Sequence, residues 1–490
     1  MNQSPLPRII QGGMGAGVSG WPLARNVSRA GQLGVVSGTA LDVILVRRLQ
    51  LGDPGAHMRR ALERFPIPGV ASRVLDRYFV PGGKPDGKAF RSKAILGEKL
   101  SRGSEELLMA SNFVEVFLAK EGHGGLVGIN FLEKIQVPTL PSLYGAMLAG
   151  VQYVLMGAGI PRAIPGILDR LARGLPVELR LDVQGADRSD EFTTSFDPGS
   201  YFAVDAPDLC RPDFLAIVSS ATLASMLARK ASGPINGFVV ESPTAGGHNA
   251  PPRGRPQLTS EGEPVYGQRD ALDLDAMRAI GLPFWLAGSC AEPEHVEEAI
   301  NQGAAGVQVG TAFAYCEESG VEPGLKDSVL ESSRNGGSGV FTDPIASPTG
   351  FPFKVVQMEG TLSDSAVYEE RARVCDLGYL RHAYKKEDGT LGWRCPGEPV
   401  EDYIRKGGDE RDTRGRKCVC NGLIANIGLA QIRRGGERER PLLTSGDDVA
   451  DVARFLGPGA DSYSAVDVIE YLLPDSNGTR SGEPGACAAL

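Results

Sequence analysis

Eight short apolar runs constrain this chain more than any other feature. They are RIIQ (8–11), LGVVS (33–37), LVGINF (126–131), QYVLM (152–156), FLAIVS (214–219), GFVVE (237–241), PFWLA (283–287) and GVQVG (306–310). Each is too short for a helix, and most end in or run directly into Gly or Ser. Helix-patterned segments such as TLASMLARKA, LDAMRAI and PEHVEEAINQG lie between them. Strands alternating with helices indicate parallel βαβ units. Runs that are apolar throughout, rather than at every second position, suit strands covered on both faces. Eight such units over roughly 300 residues predict a (β/α)₈ TIM barrel of the α/β class.

The rest of the chain hangs on that frame. The pattern predicts a barrel over residues 1–340 with two insertions. The first, about 42–124, follows the second strand and carries the helical stretch SEELLMASNFVEVFLAK and the polar stretch VPGGKPDGKAFRSK. The second, about 177–212, contains a ninth candidate strand, VELRLDVQ, read as an excursion outside the barrel. Residues 341–472 form a loop-rich extension with a cysteine cluster, in which helical patterns return at DDVADVARFL and YSAVDVIEYLL. Residues 473–490 read as a disordered tail.

Ligands of a barrel gather at the C-terminal ends of its strands. The first run is followed there by GGMGAG, the third by Asn130, the fourth by GAGIP, the sixth by ESPTAGGHNAPPRG, the seventh by GSCAEPE and the eighth by GTAF. Glycines at so many mouths let backbone approach a flat or phosphorylated ligand. The turns after strands seven and eight, with a helix start beside them, are where barrels bind phosphate. Gly288, Ser289, Gly310 and Thr311 are the expected donors. Gly15, Gly17 and Gly20 also spell G-x-G-x-x-G, with Asp42 about 20 residues on. A Rossmann domain wants its phosphate site in that first turn, whereas the main phosphate signals here come late in the chain. The dinucleotide reading is therefore set aside.

Taken in order, IIQGGMGAGVS, GQLGVVS, GINF, VVESPTAGGHNAP, LAGSCAEP and GVQVGTAF resemble the signatures of the nitronate monooxygenase (2-nitropropane dioxygenase) family. The resemblance covers roughly residues 5–315. It extends to flavin-dependent and trans-acting enoyl reductases. It implies a TIM barrel with non-covalent FMN. By position, Gly12, Gly13 and Met14 would back the flavin ring, and Asn130 would hydrogen-bond to it. Gly246 and Gly247 would pass close to the ring. Gly288, Ser289, Gln308, Val309, Gly310 and Thr311 would hold the phosphate, and His248 matches the active-site histidine. Two departures stand out. Glu241 replaces a common Gln and, if charged, would oppose an anionic reduced flavin; Ser289 replaces the second glycine of the phosphate turn. The late motif SPTGFPFKV and the late cysteines resemble a longer subgroup.

The implied activity is oxidation of alkyl nitronates with O₂. Flavin would accept electrons, and a near-neutral histidine, His248, would steady charge or move a proton. The same residues would serve an NAD(P)H-dependent enoyl-thioester reductase of fatty-acid or polyketide type, or a non-catalytic flavin-binding pathway subunit. Arg253 could attract an anionic substrate. Cys375, Cys395, Cys418 and Cys420 have the number, though not a standard spacing, for a structural zinc or an iron–sulfur cluster. The terminal CAAL fits a prenylation pattern with no polybasic stretch before it.

A net charge of −9 argues against nucleic acid or an anionic membrane as partner. No apolar run reaches membrane-spanning length, and the strand-like PRIIQ leaves no room for a leader before it. The expectation is a cytoplasmic protein meeting a small-molecule substrate and O₂, with homo-oligomerisation open.

Overall fold

The computed structural model describes residues 6–474 apart from 188, 205 and 338. Nearly all of the predicted tail, with CAAL, lies outside the described residues.

All eight predicted runs become strands of one parallel sheet. They are β1 (Ile9–Gln11), β2 (Gly34–Ser37), β3 (Val127–Leu132), β4 (Tyr153–Gly157), β5 (Asp213–Val218), β6 (Gly237–Glu241), β7 (Phe284–Ala287) and β8 (Gly306–Val309). Neighbours pair in chain order from β2 to β8, and β8 pairs with β1 through Ile9–Val307, Ile10–Gln308 and Gln11–Val309. A parallel bridge between Ile10 and Leu33 closes the ring, with Gln11 N donating to Leu33 O at 3.0 Å. This is a TIM barrel. Ile10, Val35, Leu155, Leu215, Val239 and Trp285 fill its interior as a separate core. A larger core lies between the strands and the helices outside them. Two covered faces explain why the runs are apolar at every position.

The insertion after β2 holds helices Leu41–Gln50, His57–Leu62, Val70–Tyr78 and Arg102–Lys120. The longest starts where Ser101 caps it by accepting from Ser104 N at 3.2 Å. Asp42, the acid of the rejected dinucleotide reading, is buried on the first of these helices. It pairs with Lys93 at 2.8 Å and accepts from Tyr379 Oη. It serves the junction between insertion and extension.

The ninth candidate strand does lie outside the barrel. Val177–Arg180 pairs antiparallel with Thr193–Phe196. Val183–Gln184 joins a hairpin of the extension, His382–Lys385 with Leu391–Arg394, as its third strand. The extension also contributes the hairpin Val340–Asp343 with Phe353–Val356. Its polar composition is partly explained by ion pairs around the buried Glu439: Arg371 and Arg433 both bind Glu439, and Arg433 also binds Asp376. Helix patterning at DDVADVARFL appears as 3₁₀ turns over Asp447–Phe455, and Ala465–Leu472 is an α-helix.

The structure places the late cysteines, for which the sequence suggested a metal. Among the described residues no three of His, Cys, Asp and Glu converge to hold a metal ion. The thiols instead have local partners. Cys375 hydrogen-bonds with Cys395, while Cys418 donates to Val374 O and accepts from Asn421 Nδ2. Burial raises Cys418 and Cys420 above the usual thiol range.

Candidate functional site

The strand ends at the C-terminal mouth of the barrel surround a cavity of about 200 Å³. Gly12, Gly13 and Met14 line it from the first turn, Asn130 from β3, and Glu241, Gly246, Gly247 and His248 from the end of β6 and its loop. Gly288 and Ser289 line it from the seventh turn, and Gln308, Val309, Gly310 and Thr311 from the eighth. Every cofactor or catalytic residue expected from the sequence therefore reaches one space. A second hollow, about 220 Å³, adjoins it and shares Glu241 and His248; Arg253, Tyr266 and Phe351 stand around it. Arg253 donates to Arg269 O at 2.7 Å and Ser219 O at 2.8 Å, so its guanidinium organises this mouth. A further hollow, about 390 Å³, lies elsewhere, among Lys134, Arg381, His382 and Trp393, and holds no residue of the predicted site.

The shape of the first turn follows from close approach. A Cβ on Gly13 would lie 2.4 Å from Asn130 Cβ, and Asn130 Nδ2 donates to Gly13 O at 3.1 Å. That bond fixes the amide, leaving Asn130 Oδ1 buried without a partner among the described residues. Gln308 Oε1 is likewise buried and unpartnered. A buried acceptor left unpaired costs about 1–3 kcal/mol, so two on one cavity mark where a ligand's donors belong. At the other end, Gly288 and Ser289 both have positive φ, 101° and 49°. For Ser289 this is the left-handed region, a conformation a side chain adopts at some cost. The eighth turn continues into the short helix Thr311–Ala314, whose first N–H groups have no partner inside the helix.

Burial sets the charge of the ionisable groups here. It pushes Glu241 up to about 7, so the acid is largely neutral below that pH and does not bring the charge that a carboxylate would. It pushes His248 down to about 4, so the imidazole is neutral near pH 7. Burial also raises Asp448, which hydrogen-bonds Ser289 beside the phosphate-type turns.

The extension builds much of the wall, which sequence reading missed. Leu443, Thr444, Ser445, Gly446 and Asp448 line the cavity, as does Phe353. Gly446 N donates to Thr311 Oγ1 at 2.9 Å and Gly247 N to Thr444 Oγ1 at 3.1 Å. His248 bridges Phe353, with Asn249 N donating to Pro352 O at 2.9 Å and Lys354 N to Gly247 O at 3.0 Å. The ring of His248 packs 4.6 Å from that of Phe353, and Nε2 lies 2.6 Å from Ser347 Oγ. The signal for this was SPTGFPFKV, a conspicuous motif to which the sequence assigns no role.

Residues 172–337, which carry Glu241, His248, Gly288 and Thr311, match the family model described as nitronate monooxygenase. Over this segment the chain is similar to that family. Over 95 residues the chain is 38% identical to a probable nitronate monooxygenase of Bacillus subtilis (strain 168), a match spanning 19% of this chain and only 26% of that relative. Among solved structures, FabK from Thermotoga maritima is similar at 16% identity and a TM-score of 0.45, covering 96% of this chain and 92% of the other. Nitroalkane oxidase from Streptomyces ansochromogenes is similar at 17% and 0.42, covering 96% and 95%. The enoyl reductase domain of MlnA from the macrolactin biosynthesis cluster of Bacillus amyloliquefaciens follows at 11% and 0.46, covering 95% and 93%. Likenesses this distant say nothing about substrate. Among the described residues no helix is long and apolar enough to cross a membrane.

Proposed function

We propose that this chain is an FMN-dependent oxidoreductase of the nitronate monooxygenase family, acting on alkyl nitronates with O₂. The observation that carries the cofactor is the pair of buried, unpartnered acceptors, Asn130 Oδ1 and Gln308 Oε1, set between a glycine turn and two phosphate-type turns. Those residues fit FMN: Gly12, Gly13 and Met14 would back its ring, Asn130 and Gln308 would accept from its N–H or hydroxyl groups, and Gly288, Ser289, Gly310 and Thr311 would hold its phosphate. When bound, FMN supplies a two-electron acceptor. The protein's own part is to orient the substrate and exclude water. Glu241, largely neutral below about pH 7, spares the site a buried negative charge. His248, neutral and at the junction of cavity and mouth, can hydrogen-bond to the substrate where negative charge resides.

Anaerobic mixing tests this reading. The purified protein is expected to be yellow with releasable FMN, and propane-2-nitronate should bleach the flavin without a nicotinamide. Bleaching by NADPH alone would reject the assignment in favour of an enoyl-thioester reductase. A colourless preparation that takes up no FMN would reject the cofactor.

A further inference from the structure

His248 meets the extension through one ring nitrogen. Ser347 Oγ lies 2.6 Å from Nε2 and 2.9 Å from Thr349 Oγ1, and it accepts from Thr349 N at 3.3 Å. Thr349 Oγ1 also accepts from Phe351 N at 3.3 Å. Ser347 is fully buried, and Arg416 and Gly350 both donate to its carbonyl. The hydroxyl is therefore fixed in place.

Counting protons gives the direction of the chain. If Thr349 donates to Ser347 and Ser347 donates to Nε2, both hydroxyl protons have acceptors. If Nε2–H donates to Ser347 and Ser347 to Thr349, the Thr349 hydroxyl proton has no acceptor among the described residues and must turn to solvent at the edge of the 390 Å³ hollow that Thr349 lines, so the first arrangement is the one satisfied within the protein. The first arrangement makes Nε2 an acceptor, so the proton of a neutral ring must sit on Nδ1. No other described residue hydrogen-bonds to Nδ1.

We infer that Ser347 is a positioning residue that holds His248 as the Nδ1–H tautomer, making the histidine a hydrogen-bond donor to substrate rather than a base. This deepens, and for its substrate consequence rests on, the function proposed above. A donor stabilises an anion that arrives already formed; it cannot take a proton from carbon. The substrate class is thereby narrowed to nitronate anions, excluding their neutral nitroalkane parents.

The test uses full-length protein with FMN, labelled with ¹⁵N-histidine, and long-range ¹H–¹⁵N correlation spectra. The His248 signals are assigned by their loss in His248→Gln. Wild type should show a protonated Nδ1 and a bare Nε2. Thr349→Val should keep this pattern, because Ser347 can still donate to Nε2. Ser347→Ala should shift it toward Nε2–H or a mixture. A protonated Nε2 in wild type, or an unchanged pattern in Ser347→Ala, overturns the tautomer assignment. In parallel, kcat/KM for propane-2-nitronate should exceed that for neutral 2-nitropropane by about 100-fold or more, the scale of a missing acid–base group. Equal use of the two compounds overturns the substrate restriction. Inactivity on both, with the wild-type spectrum as expected, rejects the nitronate reading and leaves the tautomer assignment standing.

Discussion

Glu241 and His248 stand where the cavity meets its mouth, and burial moves them in opposite directions. Glu241 rises from 4.5 to about 7, so its contribution to folding is full below pH 4.5 and lost as pH climbs through about 7. His248 falls from 6.5 to about 4, so its contribution is present above pH 6.5 and lost as pH drops through about 4. For Glu241→Gln, the melting temperature of cofactor-free protein should fall less than that of wild type between about pH 5 and 8. Parallel curves from differential scanning calorimetry would show that burial does not govern this acid. His248→Ala should retain FMN, seen by absorbance, and lose about 100-fold or more in turnover. Asp448 hydrogen-bonds Ser289 at the turns proposed to hold a phosphate, and two anions there repel. Asp448→Asn should tighten FMN about 10-fold, about 1.4 kcal/mol, in a fluorescence titration. The glycines and His248 were legible because each follows its strand within a few residues. Ser347 was not: 99 positions separate it from the histidine it holds.

At the level of elements, strands and loops differed in how readily they could be read. An apolar run between two helical patterns identifies a strand covered on both faces, and all eight were found from that pattern alone. The extension offered no comparable period, because buried pairs such as Arg371–Glu439 do part of the work of apolar residues. Its docking on the barrel depends on two facing glycines. A Cβ on Gly246 would lie 2.7 Å from Gly446 N and Ser445 C, and one on Gly446 would lie 2.9 Å from Thr244 O. Backbone atoms on both sides have little freedom to yield. Gly246→Ala should therefore push the 443–448 loop off the barrel and weaken FMN about 10- to 100-fold, the equivalent of about 1–3 kcal/mol of overpacking. Circular dichroism should show the fold intact. Unchanged FMN affinity would mean that the loop is no part of the cofactor site.

Across the whole molecule, insertion, barrel and extension are tied by contacts far apart in sequence. Lys93 and Asp42 form an ion pair whose side chains are only 6% and 1% exposed, and Tyr379 of the extension donates to the same carboxylate. Removing the cation alone leaves a buried charge uncompensated. Lys93→Met should lower the unfolding free energy by about 3–5 kcal/mol, measured by urea denaturation. A loss below about 1 kcal/mol would place the pair in the weak surface class.

Short-range order was in the sequence: strand count, strand order and the glycine-rich turns at the strand ends all follow from local hydrophobic pattern and backbone freedom. Only the folded chain decided what closes those turns, which acids burial neutralises, and which hydroxyl faces His248. Those outcomes depend on distance and desolvation between segments as much as hundreds of residues apart, and no local period encodes either.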